Sequence, residues 1–243
     1  MRTTHFAIAI VGVLLLAFGA HAQWYVAKPL RNVTNYHSVL NEIEARMPAQ
    51  HIYRDSDRVG HTHETTHGLN SRLRNKWGST GTINCAYFAG TGGQFILLRE
   101  PRVTLRQIAS RVPTNLRRDS YGGIYNTYLI QMQSHWNNQP LYVLDELSSY
   151  YNGTLYCMET GGNRHGTRLH LSTEATLEFL YYAHILVELT PESYPDKDKL
   201  REAVRSTNVL VYKNIVSPSH KRGFLAPSNL RWWELCQKKS AQK

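Results

Sequence analysis

The chain has 243 residues, 42% of them hydrophobic, with 28 Lys and Arg against 18 Asp and Glu and a formal net charge of +10. This length suits one sizeable core and is short for two, so a single domain is expected. The basic residues are dispersed, with the densest groups at Arg72 to Lys76 and Arg117-Arg118. No nucleic-acid motif with interleaved aromatics accompanies them, so the charge points to solubility or an anionic envelope surface and away from specific nucleic-acid recognition.

At the N-terminus, Arg2 precedes an apolar run from Phe6 to Ala20 that ends in Ala20-His21-Ala22. The run falls short of the roughly 20 residues a bilayer span needs, so residues 1–22 are expected to be a secretory signal cleaved after Ala22. The mature chain, residues 23–243, would lose Arg2 and carry 27 basic against 18 acidic residues, a net +9, outside the cytoplasm or in the periplasm. The most apolar later stretch, Phe179 to Leu189, is short and contains His184 and Glu188. It reads as a buried helix, so no membrane span is expected after cleavage.

Apolar residues at Val39, Leu40, Ile43 and Met47 recur at helical spacing and predict a helix from Tyr36 to Met47, stopping before Pro48. A second helix should start near Asp55 or Asp57, whose carboxylates can cap free backbone N–H groups, and run toward Asn75. Thr82 to Phe88 and Gln94 to Leu98, separated by Gly90, Thr91, Gly92 and Gly93, read as a β-hairpin. Further helices are expected at Leu105 to Arg111, Tyr125 to Trp136, Leu141 to Tyr156, Thr173 to Leu189 and Asp198 to Arg205. The class is α+β: a mainly helical single domain with a small hairpin or sheet. The aromatic pairs Tyr150-Tyr151, Tyr181-Tyr182 and Trp232-Trp233 read first as packing. Cys85, Cys157 and Cys236 lack paired zinc-ribbon spacing, leaving either one disulfide and one thiol or three buried free cysteines.

The predicted second helix carries His63-Glu64-Thr65-Thr66-His67. Residues four apart on a helix are rotated by only about 40° and lie about 6 Å apart along the axis, so both imidazoles face one side and can grip one ion. Zinc takes neutral imidazole readily and tolerates a tetrahedral site with one position left for water. Glu64, beside His63, has the chemistry to take a proton from that water.

This run resembles the zincin metallopeptidases, although the matching motifs cover only a small part of the chain. Asn70 and Leu73 stand where the metzincin branch requires Gly and His. The resemblance is therefore to the gluzincin branch, which implies a zincin-like active-site helix, one catalytic zinc ion and a Glu ligand from a later helix. Glu146, 79 residues after His67, is the best candidate for that ligand; His165, His170, His184, Glu174 and Glu178 are the alternatives. Glu174 and Glu178 are expected chiefly as exposed helical carboxylates, and His61 as a surface residue or a neighbour of the ligands. Gluzincins often place Asp four residues after the ligand Glu to orient an imidazole, but Tyr150 stands there, so Asp145, Asn70 or a backbone carbonyl would supply that bond. Tyr150 would either pack or donate to a substrate oxyanion. Many zincins bind extended substrate on a strand that precedes the motif helix; here the strand Gln94 to Leu98 follows it and is the candidate for that role. The activity implied is a secreted peptidase acting on a peptide or protein, with an amidase of envelope polymers or a non-catalytic zinc module as alternatives.

Overall fold

A computed structural model describes residues 24–30, 38–77, 83–119, 123–161, 167–221 and 225–241. The expected signal segment and the first residues of the expected first helix lie outside this set. The described part is mainly helical with one small antiparallel sheet, in agreement with the α+β expectation.

β1 (Tyr25–Val26) leads to α1 (Val39–Glu44), where the Ser38 hydroxyl accepts the Asn41 N–H and starts the helix. α2 (Arg58–Trp77) uses both expected acidic residues at its start: Asp55 Oδ1 accepts the Asp57 N–H, and Asp57 Oδ1 accepts that of Val59. β2 (Ile83–Tyr87) and β3 (Gln94–Arg99) form the hairpin, with Cys85 opposite Leu97, and β1 pairs with the far side of β3 through Tyr25 and Phe95. The turn needs glycine. Gly93 has φ +89°, and a Cβ there would sit 2.6 Å from the Arg46 guanidinium and 2.9 Å from the Ala27 carbonyl.

The rest of the chain is helical: α3 (Leu105–Arg111), α4 (Thr114–Asp119), a π-helix (Tyr125–Gln131), α5 (Gln133–Trp136), α6 (Tyr142–Glu159), α7 (Thr167–Leu189), α8 (Lys197–Val211), a second π segment (Tyr212–Val216), α9 (Ser217–Lys221) and α10 (Pro227–Ala241). α3 has the expected bounds and opens on a capping box, in which the Thr104 hydroxyl accepts the Gln107 N–H while the Gln107 side chain accepts that of Thr104. The expected helix from Tyr125 to Trp136 is a π-helix followed by one short α-turn.

α7 runs through the core, with Leu177, Phe179, Leu180, Tyr182, Ala183, Ile185 and Leu186 all inaccessible to solvent. α6 packs between α7 and α2, so the side chains of its opposite faces enter different parts of the molecule. A second apolar cluster joins α1, α2 and the sheet through Ile43, Met47, Leu69, Tyr87 and Phe95. Within it, buried Arg46 donates to the carbonyls of Ala27 and Glu42, while Glu42 accepts from the Tyr87 hydroxyl at 2.6 Å and the Gly90 N–H at 2.9 Å. These bonds hold the hairpin turn against α1.

Several expectations are corrected here. Glu174 and Glu178 are buried, because the middle of α7 is enclosed by neighbouring elements, and they accept from Ser228 and Tyr182 respectively. His61 is fully buried rather than at the surface, its Nε2 2.9 Å from Glu44 Oε1. β3 is the central strand of the sheet, and β1 covers one side of it at Gln94 and Phe95. All three cysteines are buried free thiols, which resolves the choice left open by the sequence. Among the described residues, no helix is long and apolar enough to cross a membrane.

Candidate metal centre

His63 and His67 project from α2 toward α6, and their Nε2 atoms lie 3.0 Å apart. Glu146 meets them from α6, with Oε2 3.6 Å from His63 Nε2 and 3.5 Å from His67 Nε2. The three residues each offer one donor atom within 4.8 Å of the others. α6 packs closely on α2 at Gly153, where a Cβ would meet the Val59 carbonyl at 3.6 Å and His63 Cβ at 3.9 Å, ordinary contact distances.

Glu146 is 3% exposed, and its Oε2 has no hydrogen-bond partner. A buried carboxylate oxygen without a donor is costly unless a cation faces it. Two imidazoles and one carboxylate match the donor set of a three-ligand zinc site, so the residues fit the ion suggested by the sequence motif. The imidazoles have opposite proton affinities. Burial, then the neighbouring His67, holds His63 well below the usual histidine range. Burial also pulls on His67, but the hydrogen bond with Asp145 and the charges of Asp145 and Glu146 outweigh it and hold that imidazole well above the range.

Asp145 orients the second imidazole, with Oδ1 3.0 Å from His67 Nδ1. Asn70 donates to that same oxygen and to Ser148 Oγ, while its own Oδ1 accepts the Tyr87 N–H at 2.9 Å. Two of the candidates named for the orienting bond therefore act in series: Asp145 touches the imidazole and Asn70 holds Asp145. The remaining alternatives for the third ligand lie elsewhere. His170 faces Asn229, and His184 faces Ser240, with burial pushing its imidazole down to about 4. Glu174 and Glu178 are occupied as described above, and His165 lies outside the described residues.

A cleft of about 450 Å³ reaches this cluster. Its wall includes His63, Glu64 and Tyr150, and the Glu64 side chain is exposed. The Tyr150 ring meets the His63 ring edge-on at 4.4 Å and stacks on Phe179, and its hydroxyl lies 2.8 Å from that of Tyr128. Packing is therefore one role of Tyr150, and its hydroxyl belongs to a pair at the cleft. Burial raises both phenols, Tyr128 to about 12, so both remain protonated and can donate. Tyr128 was not singled out from the sequence because Tyr125 to Trp136 reads there as an ordinary helix.

No family model, curated protein or solved structure matches the chain.

Proposed function

We propose that the protein is a zinc-dependent hydrolase of amide bonds, a peptidase with a zincin-like active-site helix and the gluzincin ligand order. The observation that carries this reading is the buried, unpartnered Glu146 oxygen facing two imidazole nitrogens beside an open cleft. His63, His67 and Glu146 would hold the ion. Bound zinc supplies a Lewis acid that acidifies water and polarises a carbonyl.

The chain's own groups divide the remaining work. Glu64, exposed in the cleft beside His63, is the general base: its carboxylate takes a proton from the attacking water and returns it to the leaving amine. Asp145 keeps the His67 ring turned so that Nε2 faces Glu146, which supports a defined tautomer. The open cleft at His63 favours a catalytic over a purely structural ion, because structural sites are closed by protein ligands. The basic charge and the apolar N-terminal run support action outside the cytoplasm.

The test is Glu64→Gln in purified protein. Zinc should remain at one equivalent per chain, while hydrolysis of a peptide library falls about 10²- to 10⁴-fold. Full activity in that variant, with its zinc in place, would overturn the mechanism.

A further inference from the structure

We infer that the site takes a compact substrate carrying an apolar side chain beside the scissile group, gripped by helix side chains, and not an extended segment added to the sheet. The inference rests on the zinc-hydrolase reading and specifies its substrate class.

Strand addition requires a row of free backbone N–H and C=O groups. Along β2 and the residues that follow it, on the side that faces α2 and α6, four such groups are taken by asparagine side chains. The Cys85 N–H is taken by Asn84 Oδ1 and the Tyr87 N–H by Asn70 Oδ1; Asn152 donates to the Tyr87 carbonyl and accepts the Ala89 N–H. Three asparagine side chains thus stand where a substrate strand would lie. On the other side of the sheet, β3 pairs with β1 at its start, Ala27 donates to the Gly93 carbonyl, and the Arg99 N–H is taken by Asp196.

The cleft has a different construction. Its described walls come from α2, the π-helix and its start, α6 and α7. Beyond the first turn of α2, the helical backbone of these walls is hydrogen-bonded within itself, so recognition there falls to side chains. Val59, Ile124, Leu171 and Ala175 give an apolar wall, with the Ser172 and Tyr128 side chains as polar points. A volume of about 450 Å³ lies in the range of pockets for small ligands and suits one or two residues rather than a long segment.

Two neutral hydroxamates test this by calorimetry on the zinc-loaded full chain: acetohydroxamate, which offers only the metal-binding group, and 4-methylpentanohydroxamate, which adds an apolar side chain. The branched compound should bind about tenfold more tightly or better, as burial of such a group predicts. Leu171→Ala should shrink that preference several-fold, and Ala175→Phe should abolish it, with acetohydroxamate affinity unchanged in both. Circular dichroism checks that each variant is folded, and if Ala175→Phe is not, the Leu171→Ala result decides. Equal binding of the two compounds, or a preference that survives the wall substitutions, overturns the apolar pocket while leaving the zinc reading intact. If neither compound binds, the zinc reading fails first. Peptides of three residues should also match, in kcat/KM, the same sequences extended by five residues on each side. A tenfold gain on extension would show that the substrate is held as a long strand after all.

Discussion

Asp145→Ala removes the carboxylate that holds His67 by Nδ1 at 3.0 Å, in a side chain only 13% exposed, where little water can replace it. The His67 imidazole then gains rotational freedom and loses the acceptor that fixes its tautomer. Removal of such an outer partner weakens metal affinity about 10- to 100-fold, or about 1.4 to 2.7 kcal/mol. The fold should change less, because Asn70 keeps Ser148 and the Tyr87 N–H as partners. Asp145→Asn retains an acceptor oxygen and should lose less affinity than the alanine variant. Zinc affinity is measured by competition with a chelator at fixed pH, beside Glu146→Ala as the variant that loses a ligand. If Asp145→Ala binds zinc within twofold of the unaltered protein while Glu146→Ala does not, Asp145 does not orient the site and the reasoning is refuted.

Two further expectations concern the frame around the site. Arg46→Met strips a buried guanidinium from the Ala27 and Glu42 carbonyls and leaves the Glu42 carboxylate with less compensation, which should cost about 3 to 5 kcal/mol in urea unfolding; a loss below about 1 kcal/mol would contradict that account. Burial raises the Glu100 carboxyl to about 7, although Leu141, Asn84 and Arg74 pull it the other way. The folded chain therefore holds this proton more tightly than the unfolded chain, whose carboxyl titrates at its ordinary value. The contribution is complete below that ordinary value and is lost as pH rises through about 7, amounting to up to about 3 kcal/mol. Glu100→Gln should flatten that part of the stability profile between pH 4 and 8, and an unchanged slope would rule the group out.

The local elements were largely legible in the sequence. Thr104 and Gln107 mark the start of α3, Asp55 and Asp57 that of α2, and the glycines between Phe88 and Gln94 the turn. Spacing four apart gave the histidine pair, and the helical run around Glu146 made that residue the candidate that meets them. What escaped depends on neighbours distant in the chain. Glu174 and Glu178 look like surface residues by type, and only the packing of other helices around α7 buries them. His61 lies two residues from His63, yet its partner is Glu44 on a different element. The π-helix has no hydrophobic period that separates it from an α-helix. α10, by contrast, carried readable signals in Pro227 at its first position and Lys238 and Lys239 in its last turn.

Asn70 also bears on the order in which the molecule assembles. Its carbonyl end reaches Tyr87, 17 residues away, whereas its amide end reaches Asp145 across 75 residues. Closing the shorter loop costs less entropy, so the hairpin can settle on α2 before α6 arrives. On that route the pair of imidazoles is in place early, and the carboxylate that completes the cluster comes with one of the longest loop closures in the chain.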